Sequence, residues 1–310
     1  MNKEILKFMN RLFITISLAS SLLLSACNSN NAPIDDTTSS SSEIDNTAQV
    51  VVLLGQSNME GHTWSNYLTK TMPDKAKEFA DGYEDVKISF HNSGDYTSLN
   101  QFVPVKLGQG LNINRFGPEV GIAESVHNAD KKNVFLVKYA IGATSLSGHW
   151  ISPSSKKGGG SLYNSAVSYV LECMDKLEDM GYYPEIKAIC WMQGEDDSNG
   201  SQYNNYYTYT KNFIKDLRED WKLYMDLDGI GFLDAGIAAI DTWKEHEIIN
   251  NAKKQNALED DLSDYIDTNA AGLKTNFEPV GAVDIYHYDS DSMIKLGRLF
   301  ANVLLEKYLD

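Results

Sequence analysis

The chain has 310 residues, 42% of them hydrophobic, and sets 27 Lys and Arg against 43 Asp and Glu for a formal charge of −16. That is ample length and apolar content for a buried core. So acidic a balance argues against nucleic acid as a partner, because phosphate contacts need clustered Lys and Arg, and equally against a polybasic membrane patch.

In chain order, residues 1–26 read as an export signal. Lys3, Lys7 and Arg11 give a basic start, and Leu12 to Leu24 form an apolar and small-residue stretch too short to span a membrane comfortably. Leu24-Ser25-Ala26-Cys27 follows and resembles the lipobox of bacterial lipoproteins. The resemblance implies cleavage before Cys27, acylation of that cysteine, and an extracytoplasmic lipoprotein held at the bacterial cell membrane. Loss of residues 1–26 removes three cations and one acid and leaves a charge of −18, so attachment is expected through the lipid alone. Residues 27–47 form a tether. From Asn28 to Asn46 only Ile34 and Ile44 are sizeable apolar residues, too few to offset the entropy of ordering. Residues 48–310 then make one domain. It holds Cys173 and Cys190, which could pair in an oxidising compartment but are expected as two buried free thiols.

Within the domain, apolar runs at Val50–Leu54, Val134–Val137, Ile186–Met192 and Ile230–Ile240 predict strands. Being unbroken rather than alternating, they predict strands covered on both faces. Between them lie helical stripes. Pro118 opens one that runs through Val120, Ala123 and Val126; Leu162, Ala166, Val170, Met174 and Leu177 form another; Tyr206, Tyr209, Phe213 and Leu217 a third. A last helix from near Ser290 carries Met293, Leu296, Phe300 and Val303. Strands alternating with helices predict an α/β fold, a three-layer α/β/α sandwich around a largely parallel sheet.

Such sheets bind ligands just beyond the carboxyl ends of their strands. The segments there are Gly55-Gln56-Ser57-Asn58-Met59, Ile141-Gly142-Ala143-Thr144-Ser145 and Gln193-Gly194-Glu195-Asp196, with Asp284-Ile285-Tyr286-His287 before the last helix. A serine attacks a carbonyl only where a base removes its proton and donors receive the developing charge. Ser57, at a strand-to-turn junction, is the candidate nucleophile, although a serine there also suits a helix cap. His287 is the candidate base, because Asp284 three residues earlier on one loop can hold its Nδ1. Candidate oxyanion donors are the backbone N–H groups of Ser57 and Gly142 and the side-chain amide of Gln193. Glu195 is a rival acid, or an anchor for the Ser57 loop. Gln56, Asn58, His62, Thr144 and Trp150 flank these groups as candidate substrate contacts, with a core or rim role the equal alternative for His62 and Trp150.

Taken jointly, Gly-Gln-Ser-Asn-Met at 55–59, Trp-Met-Gln-Gly-Glu at 191–195 and Asp284-x-x-His287, with Phe116-Gly117-Pro118-Glu119 in support, resemble the SGNH-hydrolase superfamily. The resemblance is to its sialate O-acetylesterase-like branch, carbohydrate esterase family 6, and runs from about Val50 to the C-terminus. It implies a flavodoxin-like sandwich, nucleophile Ser57, base His287, acid Asp284, second-block glycine Gly142 and Gln193 in place of an asparagine donor. Where the branch often carries Gly-Gly-Thr-Ser, this chain has Gly142-Ala143-Thr144-Ser145, so a donor on the second glycine would fall to Ala143.

No cofactor or metal is expected. His246-Glu247 lacks the second histidine of a zinc-protease motif, and Gly158-Gly159-Gly160 lacks the downstream lysine of a phosphate loop. The expected activity is removal of acetyl groups from a carbohydrate through an acyl-serine. A general short-acyl ester or thioester hydrolase is the enzymatic alternative. A glycan-binding lipoprotein without turnover is disfavoured by the complete set of Ser57, Gln193, Asp284 and His287.

Overall fold

The structure, a computed structural model, describes residues 46–276, 278 and 283–310. The expected signal, Cys27 and the tether as far as Asp45 lie outside the described residues.

From the N-terminal side, β1 (Thr47–Gly55), the one-turn helix α1 (Ser57–Glu60), β2 (Thr63–Trp64), α2 (Leu68–Thr71), α3 (Pro73–Asp81), β3 (Tyr83–His91), β4 (Val103–Val105), β5 (Arg115–Phe116) and α4 (Glu119–Asn128) come first. They are followed by β6 (Val134–Ala140), α5 (Ser161–Asp179), β7 (Tyr183–Met192), α6 (Glu195–Asn199), α7 (Tyr206–Asp220), β8 (Gly231–Ala235), α8 (His246–Glu259) and β9 (Ser263–Ile266). The chain closes with β10 (Thr275–Asn276), β11 (Asp284–Tyr288) and α9 (Ser290–Lys307). One sheet has the order β4-β3-β6-β1-β7-β8-β9, parallel throughout except for β4 at its edge. Every residue of β6, and of β1 from Ala48 on, is buried, so both faces of the sheet centre are covered, as their unbroken Val and Leu runs require. Helix α5 packs on β6, β1 and β7, while α4 packs on β3 and against α9. The result is the three-layer α/β/α sandwich. Its first strand sits between β6 and β7, where the sheet order reverses, and the segment after β1 therefore opens into the crevice at the switch point.

Some elements differ from expectation. The Ile230–Ile240 run yields a strand only to Ala235. Beyond it the Asn250 side chain takes both backbone groups of Ile237, which turns the chain off the sheet. Strand β3 was not signalled, because Glu84, Asp85 and Lys87 break its apolar run where it nears the surface. The stripe residues Leu162, Tyr209 and Val303 are only half-buried, while Tyr163, Ile214 and Leu304 are buried in the same helices. Cys173 and Cys190 are free and buried, and burial pushes both thiols up, Cys173 to about 11.

Candidate active site

The end of β1 sets the candidate nucleophile. Gly55 has φ of +151°, and a Cβ there would collide with the Met192 carbonyl, so only glycine permits this close crossing of β1 and β7. Gln56 N–H donates to that same carbonyl at 3.0 Å, and the chain turns at once into α1 with Ser57 as its first residue. In a first helical turn the Ser57 N–H has no intrahelical acceptor. Its Oγ has no hydrogen-bond partner among the described residues.

The candidate base comes from β11. Asp284 Oδ2 lies 2.7 Å from His287 Nδ1, and Asp284 Oδ1 accepts the backbone N–H groups of Tyr286 and His287 at 3.0 and 3.2 Å. The segment expected as a loop is thus a short strand. Its pairing with β10 jumps from Asp284 to Tyr288, and the bulge between lets residues three apart meet. Burial pushes the Asp284 carboxyl up, but the His287 hydrogen bond and charge and the two backbone N–H groups outweigh it and hold the group below its usual range. Asn58 seats this dyad beside the nucleophile: its Oδ1 accepts from Tyr288 N at 3.2 Å, and Thr63 Oγ1 donates to Tyr288 O at 2.8 Å. The other end of Asn58, Nδ2, donates to Glu195 Oε1 at 2.8 Å. Asp284, not Glu195, therefore contacts His287, and Glu195 anchors the nucleophile loop. Glu195 is fully buried and burial pushes its carboxyl up.

Two expected donors are already engaged. Gly142 N–H donates to Glu60 Oε2 at 2.8 Å. The Gln193 side chain is buried beneath the site, its Nε2 donating to Asp197 Oδ2 at 2.7 Å and to the Thr144 carbonyl at 3.0 Å, while its Oε1 accepts from Tyr206 OH. In this arrangement neither group is left to meet an oxyanion, and Gln193 positions the loop instead. The neighbouring Ala143 is exposed, has φ of +56°, and its N–H has no partner among the described residues. A left-handed alanine is uncommon, and it stands where the related branch often has glycine.

Among the flanking residues, Trp150 is fully buried and donates through Nε1 to Thr144 Oγ1, which itself donates to the Ile141 carbonyl; both serve the loop rather than face substrate. Asn58 is used at both ends, as above. Gln56 is buried, and its Oε1 accepts long hydrogen bonds from Gln193 Nε2 at 3.4 Å and from Asp196 N–H at 3.5 Å. His62 keeps its place in the cleft: its ring centroid is 4.5 Å from that of His287, and Nε2 is 2.8 Å from Glu60 Oε2.

Sequence reasoning missed two buried carboxylates, Glu60 and Asp197. Glu60 receives Ser93 N–H at 2.6 Å besides Gly142 and His62, and so ties three segments together. Burial pushes Glu60 up, yet His62 and Ser93 outweigh it and keep the carboxyl below its usual value. Its stabilising contribution is therefore complete above the ordinary carboxylate range and is lost as pH falls through the lowered folded value. Asp197 accepts the N–H groups of Leu146 and Ser147 at 2.6 and 3.0 Å. Underneath, Lys138 pairs with Glu119 at 3.0 Å and donates to the Glu60 carbonyl, which gives the Phe-Gly-Pro-Glu segment a structural task.

Glu60→Gln tests the clamp. An amide must set an NH₂ against either Ser93 N–H or Gly142 N–H, a donor facing a donor. The expected cost is about 1.5–3 kcal/mol, seen as a melting temperature lower by roughly 5 °C together with reduced turnover. An unchanged midpoint in thermal unfolding would show that the clamp does not hold these loops.

Residues 47–306 match the protein family described as carbohydrate esterase, sialic acid-specific acetylesterase. No curated protein matches the chain. Among solved structures, a protein of Arabidopsis thaliana is 22% identical, with a TM-score of 0.59 over 85% of this chain and 99% of its own. NanS is 16% identical, with the same TM-score over 84% of this chain and 98% of its own. A carbohydrate acetylesterase from Xanthomonas citri is 12% identical, with a TM-score of 0.52 over 83% of this chain and 56% of its own. At these identities the likeness is one of fold.

Proposed function

We propose that this chain, which belongs to the carbohydrate esterase family of sialic acid-specific acetylesterases and is a carbohydrate acetylesterase, removes O-acetyl groups from a sugar through an acyl-serine intermediate. The observation that carries the mechanism is the Asp284–His287 hydrogen bond, seated beside the Ser57 turn by Asn58. His287 Nε2 takes the Ser57 proton while Oγ bonds to the acetyl carbon. The carbonyl oxygen becomes an oxyanion at the N–H groups of Ser57 and Ala143. The imidazolium, stabilised by Asp284, then gives its proton to the sugar oxygen as the ester C–O bond breaks. Water repeats the sequence on the acetyl-serine and releases acetate. Ser57 and His287 are not hydrogen-bonded to each other here, and catalytic pairs commonly tighten only around substrate. Acetate release from O-acetylated sialosides and O-acetylated polysaccharides, followed in parallel, tests the activity and ranks the two substrate types. Absence of release from every acetylated sugar, with turnover of simple esters intact, would leave only a general esterase.

We further propose, from the lipobox-like Leu24-Ser25-Ala26-Cys27 alone, that the protein lies outside the cytoplasm, anchored by lipid on Cys27. Among the described residues no helix is long and apolar enough to cross a membrane, and two or three acyl chains hold far more firmly than one. Cys27→Ser is expected to move the protein from the membrane fraction to the soluble fraction. An unmodified Cys27 in wild-type protein recovered wholly as soluble material would defeat the proposal.

A further inference from the structure

We propose that the rings of Tyr286 and Trp243 form the platform that receives the sugar ring of the leaving alcohol, an assignment that rests on the deacetylase reading above. The direction of proton transfer fixes where that alcohol lies. His287 must return a proton to the departing oxygen, so the alcohol sits within hydrogen-bond reach of this imidazole. The carbonyl oxygen is turned the other way, toward Ser57 and Ala143. Whatever is exposed beside His287 is therefore the surface that the sugar meets.

Tyr286 is what lies there. Tyr286 is 49% exposed, its ring centroid is 6.4 Å from that of His287, and it leans at 5.6 Å and 52° against half-buried Trp243. The neighbouring Ile285 is 38% exposed. Tyr286 differs from the tyrosines that build the core: Tyr163 and Tyr206 bury their rings and bond their hydroxyls to Asp220 and Gln193, whereas the Tyr286 hydroxyl has no partner among the described residues. With Val283, which is 60% exposed, Ile285 and Tyr286 form a run of exposed apolar side chains, and contiguous exposed apolar surface marks an interaction site. A pyranose ring covers it well, because its C–H face is apolar while its rim of hydroxyls can bond a free phenol. Continuity with the catalytic histidine makes the occupant the sugar of the ester. His62 adds a ring whose centroid is 4.5 Å from that of His287.

The test compares two esters on the same enzyme: an O-acetylated methyl glycoside, whose sugar would span the platform, and ethyl acetate, whose two-carbon alcohol is too small to reach it. Tyr286→Ala should raise KM for the glycoside about three- to tenfold, the worth of one ring contact, with kcat little changed and ethyl acetate turnover as in wild type. Tyr286→Phe, which keeps the ring, should restore most of the lost KM. An unchanged glycoside KM in Tyr286→Ala, or an equal loss on both esters, overturns the platform while leaving the deacetylase reading in place. Wild-type protein that cleaves ethyl acetate but no sugar acetate overturns the deacetylase reading and the platform with it.

Discussion

Replacing Ser57 with alanine is expected to abolish acetate release and to leave the thermal midpoint close to that of the wild type. The two halves of this result have separate causes. Loss of the nucleophile removes the acyl-serine route, and deletion of a triad member commonly lowers turnover by on the order of 10⁴ to 10⁶. Stability is spared because no described group hydrogen-bonds to the Ser57 hydroxyl. Removing it strands no buried partner, and an orphaned partner is what makes most polar deletions costly. The turn itself is held by Gln56 N–H on the Met192 carbonyl and by both ends of Asn58, none of which involve Oγ. Wild-type acetate release from folded Ser57→Ala would remove the serine mechanism altogether.

The parts of this site that were legible in the sequence are those whose chemistry resides in side chains at strand ends. Ser57, His287 and Asp284 follow from a hydroxyl, an imidazole and a carboxylate placed where a parallel sheet opens its crevice. The oxyanion side was not legible to the same degree, because its proposed donors are backbone N–H groups that every residue type carries. Only the structure shows that Gly142 is spoken for by Glu60 and that Ala143 is turned outward in a left-handed conformation. Gln193 illustrates a related difficulty. Its amide suits an oxyanion on chemical grounds, yet Asp197, four residues on, draws it inward, and nothing in the local pattern signals that Asp197 is buried. The fold follows the same division. Strands buried on both faces announce themselves as Val and Leu runs, whereas β3, carrying Glu84, Asp85 and Lys87 toward the surface, and the four-residue β9 at the sheet edge do not.

Asp284→Asn should lower turnover by on the order of 10⁴, with little change in melting temperature, and the hydrogen bonds say why an amide cannot substitute. Asp284 Oδ1 accepts two backbone N–H groups, so an asparagine must place its oxygen there and turn its NH₂ toward His287 Nδ1. That donor selects the imidazole tautomer protonated on Nε2, which is unable to take the Ser57 proton, and it removes the charge that stabilises the imidazolium. The opposite amide orientation sets NH₂ against two N–H groups and is worse. Glu195→Gln should behave differently. Burial favours the neutral form of Glu195, one of its oxygens has no partner, and the other only accepts from Asn58, a bond that glutamine can reproduce. Most of the turnover should survive, while Glu195→Ala, which unties Asn58, should lower the melting temperature. Measuring turnover and thermal midpoints for the three variants separates the roles: a nearly active Asp284→Asn beside a folded but inactive Glu195→Gln would transfer the orienting carboxylate to Glu195.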